Sequence, residues 1–487
     1  MIARLRQLST NRKHFAYKLA YNVFSLFVGF ITISFIPRAL GVELYGKVNF
    51  LKSFFARTLA MSELSIGTGL YTYGSRSPSD RTIMKTYAAF ILGIGSAMLV
   101  FVFAADAFSV SRYVWPEVPP SLVFVGALAG IALWADEKSL MLLDLKGRTG
   151  TGVGIQFGTR TVFLILLGGL YISASLNARS YLWVNAGVFI IATLTIWYVV
   201  LQSYRQSSES SRLIDLAKKI VAFSVPLISY TLFSSFAEAA DRWMLQKFAG
   251  STQQGIYSLS ENISRVIFLI TGAAIPVFTR EISKLHGRNA LAEIKTQVVR
   301  VQNALMLVTL YFAAFVAVES AFIVRLLTGD GFNESIFPLS VMALYPVYQV
   351  VGQVNGTVFH ATLRTSRLRN IGIALAIISL VVTYFTFAPR AMGGLAGGSS
   401  AMAIKMLGLN IVGSSVLMFF NFRFLELPFF KTIVSQTILV VSCLFIAVLS
   451  KSISTTFVSV EWIRFLLSGV LYTLLFAIFA VAIRHSR

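Results

Sequence analysis

The chain has 487 residues, 56% of them hydrophobic and only 13% charged, with a mean hydropathy of +0.74. A soluble domain usually carries about 25% charged residues, so soluble domains are excluded and nearly the whole length has to lie in a bilayer. The net charge of +22 does not point to nucleic acid, because most basic residues sit in short junctions between apolar stretches, where the positive-inside rule accounts for them.

A hydrocarbon core of about 30 Å takes roughly 20 apolar residues per helical crossing. Fourteen stretches fit: 20–37, 47–70, 87–108, 121–143, 151–173, 180–202, 219–247, 254–279, 301–328, 337–362, 368–388, 394–421, 431–450 and 462–483. Each is expected to be helical, since only a helix satisfies its own backbone polar groups in lipid. Met1–Lys18 is basic and runs into the first stretch without a small-residue cleavage site, so no cleavable signal is expected. With the N-terminus inside, 27 Lys and Arg fall at inner junctions, ten at outer ones and five deep within spans. The inner set includes Arg4, Arg6, Arg12, Lys13, Lys18, Arg76, Arg205, Arg212, Arg484 and Arg487. This alternation predicts an even number of crossings with both termini cytoplasmic. On the inner stretch Glu281–Arg300, Leu285, Leu291, Ile294 and Val298 fall roughly on one face. That pattern fits an interfacial helix, and equally a plain solvated connector.

Two outer junctions repeat each other. Ala39-Leu40-Gly41-Val42-Glu43-Leu44-Tyr45-Gly46-Lys47 follows the first span, and Ala249-Gly250-Ser251-Thr252-Gln253-Gln254-Gly255-Ile256-Tyr257 follows the seventh. Gly41 and Gly250 are offset by 209, as are Gly46 and Gly255. A tight turn needs positive φ at one point and close backbone contact at another, which glycine supplies. The match predicts a duplication of two six-span halves, 1–202 as an N-lobe and 203–425 as a C-lobe, with 426–487 adding two C-terminal spans.

The stretch Ile36-Pro37-Arg38-Ala39-Leu40-Gly41-Val42-Glu43-Leu44-Tyr45-Gly46-Lys47-Val48 resembles the N-terminal signature of polysaccharide (O-antigen) flippases of the multidrug/oligosaccharidyl-lipid/polysaccharide exporter superfamily. Ser224-Val225-Pro226, Ala240-Asp241-Arg242-Trp243-Met244-Leu245 and Gly255-Ile256-Tyr257-Ser258-Leu259 are similar to that family's seventh-to-eighth-span region. The resemblance implies an all-α integral membrane protein with two pseudo-symmetric six-helix lobes around a central cavity. It implies undecaprenyl-diphosphate-linked oligosaccharide as cargo, moved from the cytoplasmic to the periplasmic leaflet of the bacterial inner membrane. Polymerase and chain-length proteins of the same pathway are possible partners. The related lipid II flippases carry charge within the first span; Tyr21–Phe35 carries none, which argues against lipid II as cargo.

Ionisable residues at membrane depth cost roughly 2.5–3.5 kcal/mol each and are functional candidates by default. The basic ones are Lys52, Arg57, Arg160, Arg265 and Lys405. The arginine fork suits phosphate oxygens, so these five are the candidates to hold the diphosphate. The competing reading is charge pairing, as between Glu261 and Arg265 four residues apart. The acidic candidates for gating or ion coupling are Glu63, Glu238, Asp241, Glu261 and Glu319, with Arg242 as a pairing partner of Glu238. Asp241 is expected to reach Lys247 or Arg38 and close an outer gate; a proton or Na⁺ site shared with Glu238 is the other reading.

The four histidines have no metal-ligand spacing, the single Cys443 lies within a span, and Gly150-Thr151-Gly152-Val153-Gly154 lacks the Lys-Ser/Thr of a phosphate loop. No metal, cofactor or nucleic-acid partner is expected, and no enzyme. The sequons at Asn262 and Asn355 lie within spans and are discounted. A proton- or sodium-coupled multidrug/cation antiporter of the same fold stays open as the alternative. A membrane polymerase would need a sizeable outer loop, and the longest here, near 109–120 and 451–461, run to about a dozen residues.

Overall fold

A computed structural model describes residues 2–75, 80–204 and 213–485. Arg76, Arg205, Arg212 and Arg487 lie outside the described residues, as do the side chains of Arg4, Arg6, Arg12, Lys13, Lys18, Pro226 and Arg484. The described residues are almost wholly helical and contain no strand.

The chain divides into two compact units. The first, Met1–Gly255, holds α1 (Ile2–Ser62), α2 (Ile66–Gly74), α3 (Arg81–Ala107), α4 (Ser111–Val114), α5 (Pro120–Leu145), α6 (Thr149–Ile172), α7 (Ala178–Tyr204) and most of α8 (Leu213–Arg265). The second, Ile256–Arg487, holds the end of α8, then α9 (Leu269–Gly287), α10 (Leu291–Val318), α11 (Ser320–Thr328), α12 (Ile336–Met342), α13 (Tyr345–Ala361), α14 (Thr365–Phe387), α15 (Ser399–Leu425), α16 (Phe429–Phe457) and α17 (Glu461–His485).

Eleven helices among the described residues are long and apolar enough to cross a membrane, against the fourteen expected. The first expected span and most of the second form one helix, α1, interrupted at Gly41, and the rest of the second lies in α2. Expected spans seven and eight share α8, whose charges Glu238, Asp241, Arg242, Lys247, Glu261 and Arg265 dilute its hydropathy. The expected span 254–279 is broken by a 3₁₀ turn at Val266–Phe268; 337–362 is one of the eleven, although it steps from α12 to α13.

In the first unit, α5 is the central post. Gly126 and Gly130 let Leu51 and Phe55 of α1 approach its backbone closely. Trp197 of α7 donates to Ser139 Oγ on the same helix at 3.0 Å. Trp115 is fully buried against Phe54, Phe55 and Phe101. Asp80 caps α3 by accepting from Thr82 N at 2.8 Å.

In the second unit the core gathers α9, α10, α13, α15 and α16 through Ile282, Met306, Leu310, Val350, Val354, Phe422 and Cys443. The C-terminal helix α17 joins through Tyr472, whose hydroxyl donates to Tyr311 O at 2.9 Å and whose ring stacks on Tyr311. Glu281–Arg300 is neither of the forms expected for it. α9 ends at Gly287, Asn289 turns the chain at φ 55°, and α10 starts at Leu291. Leu285, Ile294 and Val298 then enter the core from two helices, leaving Leu291 outside.

Candidate functional site

The repeated glycines meet each other. Gly41 (φ 72°, ψ 171°) interrupts α1 and Gly250 (φ 87°, ψ 171°) interrupts α8 with nearly the same dihedral angles, a conformation that L side chains resist. Gly46 and Gly255 then pack backbone to backbone. A Cβ on Gly46 would overlap the Ser251 carbonyl, and one on Gly255 would overlap the Val42 carbonyl. Val42 and Ser251 are themselves 209 apart. The contact is therefore reciprocal, each half of the repeat offering the same glycine to the same carbonyl of the other.

The second turn carries a latch from the loop between α4 and α5. Glu117, held at φ 61°, accepts from both the N–H and the hydroxyl of Ser251 at 2.7 Å. It caps the helical segment that restarts after Gly250, as an anion at a helix N-terminus should. Gln246 donates to Pro116 O at 3.0 Å and Trp243 to Tyr113 O at 3.2 Å, fixing α8 to the same loop. No local spacing pairs Glu117 with Ser251, 134 residues away.

Among the embedded cations of the first unit, Arg57 pairs with Glu238 of α8 at 2.5 Å, their side chains 38% and 48% exposed. The partner of Glu238 expected from spacing was Arg242; that residue and Asp241 are both buried, and all three make further interactions. Lys52 accepts company from an aromatic ring: its Nζ donates to Tyr181 Oη at 3.2 Å and sits 5.6 Å from the ring centre. Arg160, half-buried, lies 5.8 Å from the Phe189 ring.

A denser cluster surrounds a break in the second expected span. Leu64 and Ser65 both adopt positive φ, separating α1 from α2. Ser65 is tied to α8 through Thr231 Oγ1 at 3.0 Å and Ser224 Oγ at 3.3 Å. Glu63, at the break, pairs with Lys138 of α5 at 2.7 Å and folds back over the bare Cα of Gly67. Asp136 and Glu137, the residues before Lys138, lie within electrostatic reach of Arg160, and Asp136 is 6% exposed. Asp136 and Glu137 escaped the sequence reading. The signal was present, because three consecutive charges in an otherwise apolar span are costly unless used.

In the second unit, Arg265 bonds Glu261 at 3.0 Å, as their spacing suggested. Lys405 is buried, with Ser379 Oγ at 3.2 Å. Glu319 is buried at the junction of α10 and α11, accepts from Ser468 of α17 at 2.8 Å and lies 3.6 Å from Lys451 of α16. A neutral amide network, also missed, joins three helices. Asn355 Nδ2 donates to Gln302 Oε1 at 2.9 Å, and Asn421 Nδ2 donates to Asn355 O at 2.7 Å. Asn355 is fully buried. Among the described residues no group of three His, Cys, Asp or Glu side chains could hold a metal ion.

This arrangement of helices has counterparts among known structures. The fold matches the lipid II flippase MurJ in an inward closed conformation with a TM-score of 0.69, at 13% identity over 97% of this chain and 99% of that one. It matches an inward-facing multidrug resistance transporter of the MATE family, in the MOP superfamily, with a TM-score of 0.64, at 12% identity over 83% of this chain and 94% of that one. The polysaccharide biosynthesis protein family matches residues 159–337. A protein of the Lsg locus of Haemophilus influenzae is 23% identical over 270 residues, which span 52% of this chain and 62% of that relative. The resemblance to polysaccharide flippases is thus supported on sequence, and the fold is that of MATE and MurJ transporters.

Proposed function

We propose that this protein flips an undecaprenyl-diphosphate-linked oligosaccharide from the cytoplasmic to the periplasmic leaflet of a bacterial inner membrane by alternating access, with both termini cytoplasmic. The observation that carries the reading is Arg57, a guanidinium on an apolar span with one acidic partner and 38% of its side chain open. A charge left partly free at that depth calls for an anion, and the diphosphate supplies one. Lys52 and Arg160 in the same unit, and Arg265 and Lys405 in the other, are the further candidates to offer positive charge to the headgroup, while the isoprenoid tail stays in lipid. A membrane potential negative inside would favour outward movement of the anion by about 2.3 kcal/mol per charge per 100 mV. Pathway polymerase and chain-length proteins would take the cargo next.

Arg57→Ala and Arg265→Ala should each abolish glycan export, with lipid-linked repeat units accumulating and protein level unchanged. Full export by both variants would refute the cationic route. The second reading, a proton- or sodium-coupled antiporter, draws on Glu63, Asp136 and Glu137 around the break between α1 and α2. Drug susceptibility of a deletion strain, with normal surface glycan, would favour it.

A further inference from the structure

At the turn from α13 to α14, arginines gather without acids. Arg364 lies flat between two rings, 4.7 Å from the Phe359 centre and 3.8 Å from that of Phe424. Its Nε donates to Thr362 Oγ1 at 3.1 Å and one Nη to Asn421 Oδ1. The other, Nη1, is buried and has no hydrogen-bond partner, a deficit worth relieving. Arg367 follows one turn later, 5.8 Å from the Phe420 ring. Phe420, Arg423 and Phe424 all belong to the end of α15, so the two rings that receive Arg367 and Arg364 flank a third arginine along that helix. None of the three makes an ion pair among the described residues; the nearby acid, Glu426, is already bonded to Lys295 at 2.9 Å. Burial and the Arg367 charge press Arg364 down to about 10, as expected for a cation with no anion beside it. The first turn of α14 has no side-chain cap, so its N–H groups add to the positive field.

The surroundings say what kind of anion fits. Leu363 is 81% exposed although it sits in the turn, Phe424 against Arg364 is 39% exposed, and Phe430, in the first turn of α16 a few residues beyond Arg423, is 79% exposed. Cations ringed by open apolar side chains where helices leave the membrane match an amphiphile that brings a phosphate and acyl chains together. We propose that Arg364, Arg367 and Arg423, with the Phe420 and Phe424 rings, bind the phosphodiester headgroup of an anionic membrane phospholipid. The phosphate stands over α14's first turn, the acyl chains lie along Leu363 and Phe430, and a shift of the exposed Phe424 ring opens Arg364 Nη1 to a phosphate oxygen. The site is independent of the cargo the protein carries.

The test is native mass spectrometry of the full chain purified in detergent and offered equimolar phosphatidylglycerol and phosphatidylethanolamine. The wild type should retain phosphatidylglycerol preferentially. Arg367→Gln with Arg423→Gln, both exposed positions that leave the core untouched, should reduce that retention by about fivefold per arginine. Arg390→Gln, at a different junction, should retain the preference. Arg364→Lys, which keeps the charge and loses the flat stack, should fall between. The proposal is overturned if the double variant keeps the wild-type preference, or if Arg390→Gln loses as much. It is equally overturned if the wild type binds both lipids alike, or if an isoprenoid diphosphate binds and phosphatidylglycerol does not.

Discussion

Both units join helices through ions, and the second adds a neutral amide network. In the first, Glu63 meets Lys138 across α1 and α5, Arg57 meets Glu238 across α1 and α8, and Asp136 and Glu137 lie within reach of Arg160. In the second, Gln302, Asn355 and Asn421 link α10, α13 and α15 without a formal charge. A satisfied neutral network locks a core at little risk. Buried ion pairs contribute little net stability and are expensive to break, so Glu63 and Lys138, buried together, are the pair whose separation should cost most.

Several substitutions test this contrast. The most damaging should act before it, on the glycine contact that underlies the first unit: Gly46→Leu or Gly255→Leu forces a side chain into a backbone carbonyl. Neither protein should accumulate in membranes, as an immunoblot of the membrane fraction would show. Next, Glu63→Gln leaves Lys138 buried and unpaired, a loss of about 3–5 kcal/mol. Glu63→Gln with Lys138→Gln should recover most of the melting temperature in detergent; no recovery would mean that the two act separately. In the second unit, Asn421→Ala removes one bond to Asn355 and one to Arg364, and should cost about 1–3 kcal/mol, with glycan export reduced no more than the protein level.

The smallest effect belongs to an exposed pair. A hydrogen bond from Lys295 holds the Glu426 carboxyl below its ordinary range. Its contribution is therefore present at neutral pH and fades only as the pH falls through that depressed value. Because Glu426 is fully exposed, Glu426→Gln should leave the melting temperature unchanged at pH 7. A measurable drop would show that the turn after α15 bears more on stability than its exposure suggests.

Much of the candidate site was visible in the residues themselves. Arg57, Glu63, Glu238 and Glu319 stand out as charges in apolar runs, and Glu261 with Arg265 was readable as a pair because four residues make one helical turn. The other partners were not readable. Glu63 lies 75 residues from Lys138, and Arg57, which pairs with Glu238, lies on a different helix. Arg364 looked like one more basic junction residue until the rings of α15 closed on it.

Hydropathy and glycine spacing determined by themselves that this is an all-helical membrane protein and that two of its turns repeat. Lipid leaves the backbone no other way to bond itself, and the glycines announce a turn before any contact is known. Only the tertiary structure decided that those turns interlock, that α1 and α2 part at Leu64 and Ser65, and which embedded charge faces which. Helical periodicity orders neighbours within about one turn, whereas these contacts join helices whose mutual rotation is set by packing over the whole unit.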